Sequence, residues 1–251
     1  MSYDGLNAMI SYVLCDLDGT ILDTMDLILS SFHYTFEVGL GQTVSDRELL
    51  IYFGQTLDDQ FRQMRPDLSS SDIARVVEIY RAHNHLEHDR HIDLIPGADQ
   101  ALKSLYQAGY PLGLVTSKRL DMARRGLEMF DLWTYFSVVV HHDSTTQHKP
   151  RPDPILEALR MLSADPQSVV YIGDSPYDMQ AAKSAGCQAL GLSYNTFTVD
   201  DLAQAGADCV YTTWEAALHW IMGQTVSDRE LLIYFGQTLD DQFHLYSSQS
   251  S

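Results

Sequence analysis

The chain has 251 residues, of which 45% are hydrophobic and 20% charged, with 34 acidic side chains against 16 basic ones and a formal net charge of −18. Nucleic acid and anionic membrane are poor partners for such a surplus, because their phosphates would be repelled overall. A small phosphorylated ligand stays open, since local cations and a bound metal dominate inside a pocket while distant charges are screened within about 10 Å.

The length is ample for a core plus a smaller inserted domain. Neither Lys nor Arg precedes Arg47, so the start lacks the basic region of a signal peptide, and no apolar run approaches membrane-spanning length. A cytoplasmic protein is expected. The three cysteines, Cys15, Cys187 and Cys209, read as buried, reduced thiols and not as a disulfide framework.

The first informative element is the apolar run Val13-Leu14-Cys15, which leads into Asp16-Leu17-Asp18-Gly19-Thr20. A strand alternates its faces, so Asp16 and Asp18 point the same way and can converge at the frayed end of a buried strand, while Cys15 turns away. Two such carboxylates repel unless a metal or a shared proton separates them. One then suits a nucleophile beside a divalent cation and the other a general acid. A plain Asp-Gly turn after a strand accounts for the same letters.

Residues 23–92 read as helical, with apolar positions at helical spacing: Leu27, Phe32 and Phe36, then Leu49, Phe53, Leu57 and Phe61, then Ile73, Val77 and Tyr80. Ser45 and Glu48 carry the capping-box spacing, and Val44 and Leu49 that of a hydrophobic staple. After Ile95-Pro96-Gly97, helices predicted near 98–108, 121–128, 153–163, 177–185 and 213–222 alternate with strands near 112–115, 137–141, 169–172, 188–192 and 208–211. The alternation predicts an α/β fold: a Rossmann-like parallel sheet with helices on both faces.

Three segments stand at or beyond the ends of predicted strands, where open α/β sheets place their ligands. They are Thr116-Ser117-Lys118, then His148-Lys149-Pro150-Arg151-Pro152-Asp153-Pro154, then Gly173-Asp174-Ser175-Pro176-Tyr177-Asp178. Of only four lysines in the chain, Lys118 and Lys149 fall in these segments. The ten histidines include a group near the end of the helical stretch, His83, His85, His88 and His91. They read as surface residues; His148 stands out as a substrate-side neighbour of Lys149.

In this order and spacing, the four segments resemble the four motifs of the haloacid dehalogenase superfamily, in its phosphatase branch, over roughly residues 6–222. Residues 16–36 and the stretch Phe53-Gly54-Gln55-Thr56-Leu57 resemble the phosphoglycolate phosphatase and PpaX-like pyrophosphatase group. The resemblance implies a catalytic core from residues 1–22 and 93–222 and a small helical cap from residues 23–92. It also implies a Mg²⁺-dependent phosphohydrolase for a small phosphorylated substrate, pyrophosphate or 2-phosphoglycolate favoured. A phosphosugar mutase and a non-catalytic interaction protein are the alternatives.

By the same resemblance, Asp16 is the nucleophile that becomes an aspartyl phosphate, and Asp18 is the general acid and base. Thr116 and Lys149 hold the transferring phosphoryl group. Asp16, the main-chain carbonyl of Asp18, and Asp174 hold Mg²⁺, with Asp178 supporting the metal from outside. Asp178 equally suits an acid favoured at a helix start. Thr20, Ser117, Lys118 and the cap residue Arg47 are placed around the substrate, and Thr20 and Asp23 also shape the loop after Asp18 and the path to the cap. Arg62 and Arg65 join Arg47 as partners for a second anionic group. Monomer and homodimer are both compatible with the sequence.

The tail departs from this pattern: residues 223–243 repeat residues 41–61 without a single difference. Copies in true repeat proteins diverge, so the identity points to a recent duplication or an assembly artefact and not to a solenoid. Residues 223–251 are therefore expected to form a C-terminal appendage. It is either without function or able to exchange with the first copy in the cap.

Overall fold

The computed structural model describes residues 10–194 and 196–223. The appendage, Gly223 apart, lies outside the described residues, and so does any exchange with the cap copy.

In chain order the elements are β1 (Tyr12–Cys15), β2 (Leu22–Asp23), α1 (Met25–Tyr34), α2 (Asp46–Leu50), α3 (Leu57–Met64), α4 (Ser70–Glu87), β3 (Asp93–Leu94), α5 (Ala98–Gln107), β4 (Leu112–Val115), α6 (Leu120–Met129), β5 (Phe136–Val140), α7 (Asp153–Leu162), β6 (Val169–Gly173), α8 (Pro176–Ser184), β7 (Gln188–Leu192), α9 (Val199–Gln204), β8 (Cys209–Tyr211) and α10 (Trp214–Ile221). Six strands form one sheet in the order β5-β4-β1-β6-β7-β8. Every pairing in it is parallel.

Alternation along the strands builds a core on each face of the sheet. Val13, Cys15, Val170 and Ile172 face one way, into a cluster with Leu102 and Leu105 of α5, Leu127 of α6 and Trp214 of α10. Leu14, Val169 and Tyr171 face the other way, against Ile155 of α7, Met179 of α8 and Leu202 of α9. Strands covered on both faces read as continuous apolar runs, as these do. Cys15 faces the first cluster, and all three cysteines are free.

The chain lays β4 and β5 to one side of β1, then returns to place β6, β7 and β8 on the other. Strand order thus reverses beside β1, and the carboxyl ends of β1, β4 and β6 border the crevice in which such sheets bind ligands.

The helices between β2 and β3, here called the cap, have their own core of Phe32, Phe36, Leu49, Phe53, Phe61, Ile73, Val76, Val77 and Tyr80. Phe32 sits with its ring centroid 5.2 Å from Phe61 and 4.8 Å from Tyr80. The Ser45–Glu48 capping box forms, Glu48 Oε2 accepting from the Ser45 N–H at 2.9 Å and from its hydroxyl at 2.6 Å.

Two features escape sequence patterning. The strands entering and leaving the cap pair antiparallel, Leu22 with Leu94 and Asp23 with Asp93. Two residues per strand are too few to show a period. Helix α9 was also not expected, although Thr198 and Asp201 close a capping box at its start. No helix among the described residues is long and apolar enough to cross a membrane.

Candidate active site

The site starts where β1 ends. The Asp16 N–H donates to the Ile172 carbonyl at 2.9 Å, so the ladder with β6 continues one residue past the strand. The Leu17 carbonyl then accepts from the N–H groups of Ile21 at 2.8 Å and Leu22 at 2.9 Å, which curls residues 17–22 into a tight loop. Gly19 turns that loop at φ +81°, and a Cβ there would overlap the Asp174 carboxylate. Only glycine lets the loop pass so close to Asp174.

Asp174 follows β6, and Ser175 caps α8. The Ser175 hydroxyl donates to Asp178 Oδ2 at 2.6 Å, and its N–H donates to the same oxygen at 3.1 Å. Asp178 Oδ1 accepts from Lys149 Nζ at 2.6 Å and from the Tyr171 hydroxyl at 3.0 Å. Lys149 Nζ also donates to Asp16 Oδ1 at 2.8 Å. One buried ammonium therefore bridges two buried carboxylates, with Tyr171 beneath it.

Asp16, Asp174 and Asp178 each offer a carboxylate oxygen, all within 4.8 Å of one another. One lysine among three carboxylates leaves a surplus of negative charge. Burial, opposed by Lys149 and reinforced by Asp178, pushes the Asp16 carboxyl up to about 7 from 3.8. Burial, reinforced by Asp178 and Asp16 and opposed by Lys149, holds Asp174 well above the carboxylate range, while Asp16 and Asp178 overcome burial at Lys149 and raise it. Such a cluster fits a divalent cation with hard oxygen ligands. Asp174 is half-buried and lies on the cleft wall. Both Asp178 oxygens already have protein partners, so Asp16 and Asp174 are the carboxylates better placed to hold a metal directly.

Asp18 stands outside that acidic group; its Oδ1 accepts from Lys118 Nζ at 2.6 Å. Thr116 leaves β4 with its N–H on the Val140 carbonyl at 2.9 Å, and its Oγ1 accepts the Lys118 N–H at 3.1 Å. Asp16, Asp18, Thr116, Ser117, Lys118, Lys149 and Asp174 all wall one cleft of about 410 Å³ between core and cap.

Two expected substrate residues are elsewhere. Thr20 is fully buried, its hydroxyl 3.4 Å from Asp174 Oδ1 and its carbonyl accepting the Trp214 indole N–H at 2.7 Å. It braces the loop behind Asp174 and is not on the cleft wall. Arg47 is exposed on α2 and is not on the wall either, because that face of the short helix turns to solvent. His148 stacks on His142, ring centroids 4.8 Å apart, and it is His142 that reaches the wall. Tyr171 and Ser175 were not anticipated; Ser175 carries a visible signal, three residues before an acid at a helix start.

The cap meets the core at Gly54 and Gln55. Gln55 Nε2 donates to the Tyr177 hydroxyl at 2.6 Å. Gly54 has φ +93°, and a Cβ there would lie 2.7 Å from Ser175 Oγ and 3.1 Å from Tyr177 Cδ2. Gly54→Ala is expected to unseat this contact. A penalty of about 1–2 kcal/mol for the left-handed backbone corresponds to a roughly tenfold loss of kcat/KM in steady-state assays.

The profile of the family described as haloacid dehalogenase-like hydrolase matches residues 13–192. A protein named PpaX from Caldanaerobacter subterraneus subsp. tengcongensis is 37% identical over 199 residues, covering 79% of this chain and 89% of its own. Pyrophosphatase PpaX of Listeria monocytogenes serotype 4b is 33% identical over 204 residues, covering 81% and 92%. Among solved structures, a predicted phosphatase from Clostridium acetobutylicum superposes with a TM-score of 0.78 at 25% identity, over 86% of this chain and 100% of that one. A haloacid dehalogenase-like family hydrolase from Streptococcus pneumoniae gives 0.74 at 26%, over 84% and 98%. With a cleft of carboxylates and lysines at the switch point of a parallel sheet and relatives of this kind along most of its length, the chain belongs to the haloacid dehalogenase-like hydrolase family.

Proposed function

We propose that the chain is a Mg²⁺-dependent phosphohydrolase that works through an aspartyl phosphate on Asp16. The observation that carries this reading is the buried Asp16 carboxylate on the cleft wall, with Lys149 at 2.8 Å and a carboxylate oxygen of Asp174 within 4.8 Å. An Asp16 oxygen attacks phosphorus as the bond to the leaving oxygen breaks, and Asp18 gives that oxygen its proton. Water then attacks phosphorus and loses its proton to Asp18, which frees inorganic phosphate and the Asp16 carboxylate. Lys118, at 2.6 Å, holds the Asp18 carboxyl until substrate arrives. Thr116 and Lys149 meet the transferring group, whose charge is stabilised mainly by fixed donors.

Asp16, Asp174 and the main-chain carbonyl of Asp18 would hold Mg²⁺, with Asp178 outside them fixing Lys149. The bound ion would neutralise the phosphoryl oxygens and their repulsion with Asp16. Phosphate release from pyrophosphate, 2-phosphoglycolate and sugar phosphates, with and without chelator, tests the reading. Names of the relatives support placing pyrophosphate in that panel. Release that persists unchanged in chelator would sink it.

The same cluster ties stability to pH. A carboxyl raised to about 7 from 3.8 stabilises the fold while protonated, fully below about pH 4, and that contribution is lost as pH rises through about 7. Mg²⁺ should therefore raise Tm more at about pH 8 than at about pH 5.5, where it competes with the proton. Thermal melts with and without Mg²⁺ at both pH values check this; an equal shift at both would contradict it.

A further inference from the structure

The cap half of the cleft is built differently from the phosphoryl half. Met25, Ile28, Phe53, Leu57 and Tyr80 contribute apolar surface to its wall, and Phe197 of the core joins them. The three cap arginines expected to hold a second anion are absent from that wall. Arg47 and Arg62 are exposed, and Arg65 is committed to Asp67 at 2.8 and 2.7 Å and to Gln42 at 2.8 Å. Among the described residues, Arg81 is the cap's arginine on the wall. Glu78 already takes its guanidinium at 2.8 Å, and Asp58 lies 3.7 Å away. On the core side Lys118 is paired with Asp18 and Lys149 with Asp16 and Asp178. Arg119 stands 4.0 Å from Asp121. Each lysine and arginine of the wall thus has a carboxylate neighbour.

Among the described residues that line this wall, one buried side-chain polar atom has no protein partner. Gln60 of α3 is 8% exposed, and its Nε2 donates to the Gln55 carbonyl at 3.0 Å. That bond fixes which end of the amide is which, and it leaves Oε1 buried without a protein partner. Both ends of the neighbouring Gln55 amide are used, one on Tyr177 and the other on Gln63. A buried, unpaired acceptor is costly unless a donor reaches it.

We infer that this site selects a phosphomonoester whose leaving group is uncharged, partly apolar and hydroxylated, with Gln60 Oε1 accepting from a leaving-group hydroxyl. On the cap side a second phosphate or a carboxylate would meet apolar side chains and an Arg81 already paired with Glu78. Gln60 would also repel it through its carbonyl dipole. The inference rests on the phosphohydrolase reading and concerns its leaving-group side alone.

The test is kcat/KM with Mg²⁺ for four substrates: pyrophosphate, 2-phosphoglycolate, glycerol 2-phosphate and phenyl phosphate. Glycerol 2-phosphate is expected to exceed both substrates with a charged leaving group by about tenfold or more. Two variants then isolate the acceptor, since Gln60→Leu and Gln60→Glu both lose the bond to Gln55 but only the second keeps an acceptor. The ratio of glycerol 2-phosphate to phenyl phosphate should fall about tenfold in Gln60→Leu and stay within about threefold in Gln60→Glu. The wild-type series decides the inference even where a variant fails to fold. Faster turnover of pyrophosphate or 2-phosphoglycolate than of both neutral esters overturns it and leaves the phosphohydrolase reading standing. Equal ratios in the two variants overturn the role of Gln60. Absence of phosphate release from all four removes the reading and the inference together.

Discussion

Asp16→Asn is expected to lower kcat by roughly 10⁴-fold or more while raising the melting temperature of the metal-free protein. Loss of rate follows from removing the nucleophile: an amide oxygen neither attacks phosphorus effectively nor forms the mixed anhydride that water cleaves. The gain in stability follows from the charge count. Asp16, Asp174 and Asp178 share Lys149, and burial already holds Asp16 up at about 7. Asparagine keeps the shape and an oxygen for Lys149 Nζ but removes one charge from an overfilled cluster. A residue conserving only structure would show neither effect, and one mattering only for folding would show a fall in melting temperature. Phosphate release, trapping of a phosphorylated enzyme and a thermal melt together check it. Full turnover by the variant would overturn the mechanism.

How far the site could be read in the sequence depends on the range of each interaction. Asp16 and Asp18 were legible because two acids and a Gly19 turn directly follow a short apolar run. Both lie past Cys15, the last residue of β1, so the loop and not strand alternation sets where they point. The two-faced sheet was legible too, since Val13 and Leu14, or Val170 and Tyr171, sort to opposite clusters by alternation alone. What holds Lys149 was not. Its partners Asp16 and Tyr171 are 133 and 22 residues away, and no local pattern connects them.

Arg47 fails for a related reason. Helical spacing separates a buried face from an exposed one, and it correctly buries Leu49 beside Arg47. It does not say which exposed side chains turn toward a cleft made with another unit. Thr20 fails differently: it lies in the right loop, but Trp214 arrives from the far end of the chain and binds that loop from behind. Gln60 carries no signal in the sequence, since its importance lies in an oxygen left unpaired after Gln55 has taken the amide's other end. Sequence thus reports the groups that chemistry requires, and packing decides which of them meet.

Lys149 offers the sharpest separation of catalysis from stability. Its side chain is 1% exposed and reaches Asp16 at 2.8 Å and Asp178 at 2.6 Å. Lys149→Met keeps most of the volume but strands both carboxylates in the core. Removing one partner of a buried pair costs about 3–5 kcal/mol, and the loss of a fixed cation beside the phosphoryl group costs roughly 10²–10³ in kcat. Both falls are expected in this variant. Adding Asp178→Asn should then recover a substantial part of the melting temperature, because it removes one stranded charge while its amide still serves Ser175 and Tyr171. It should recover none of the rate, because no cation returns to the cleft. The double-mutant comparison separates the two roles. If Lys149→Met kept wild-type kcat, the electrostatic role would be lost. If the second substitution restored rate as well as stability, Lys149 would be a positioning residue acting through Asp178.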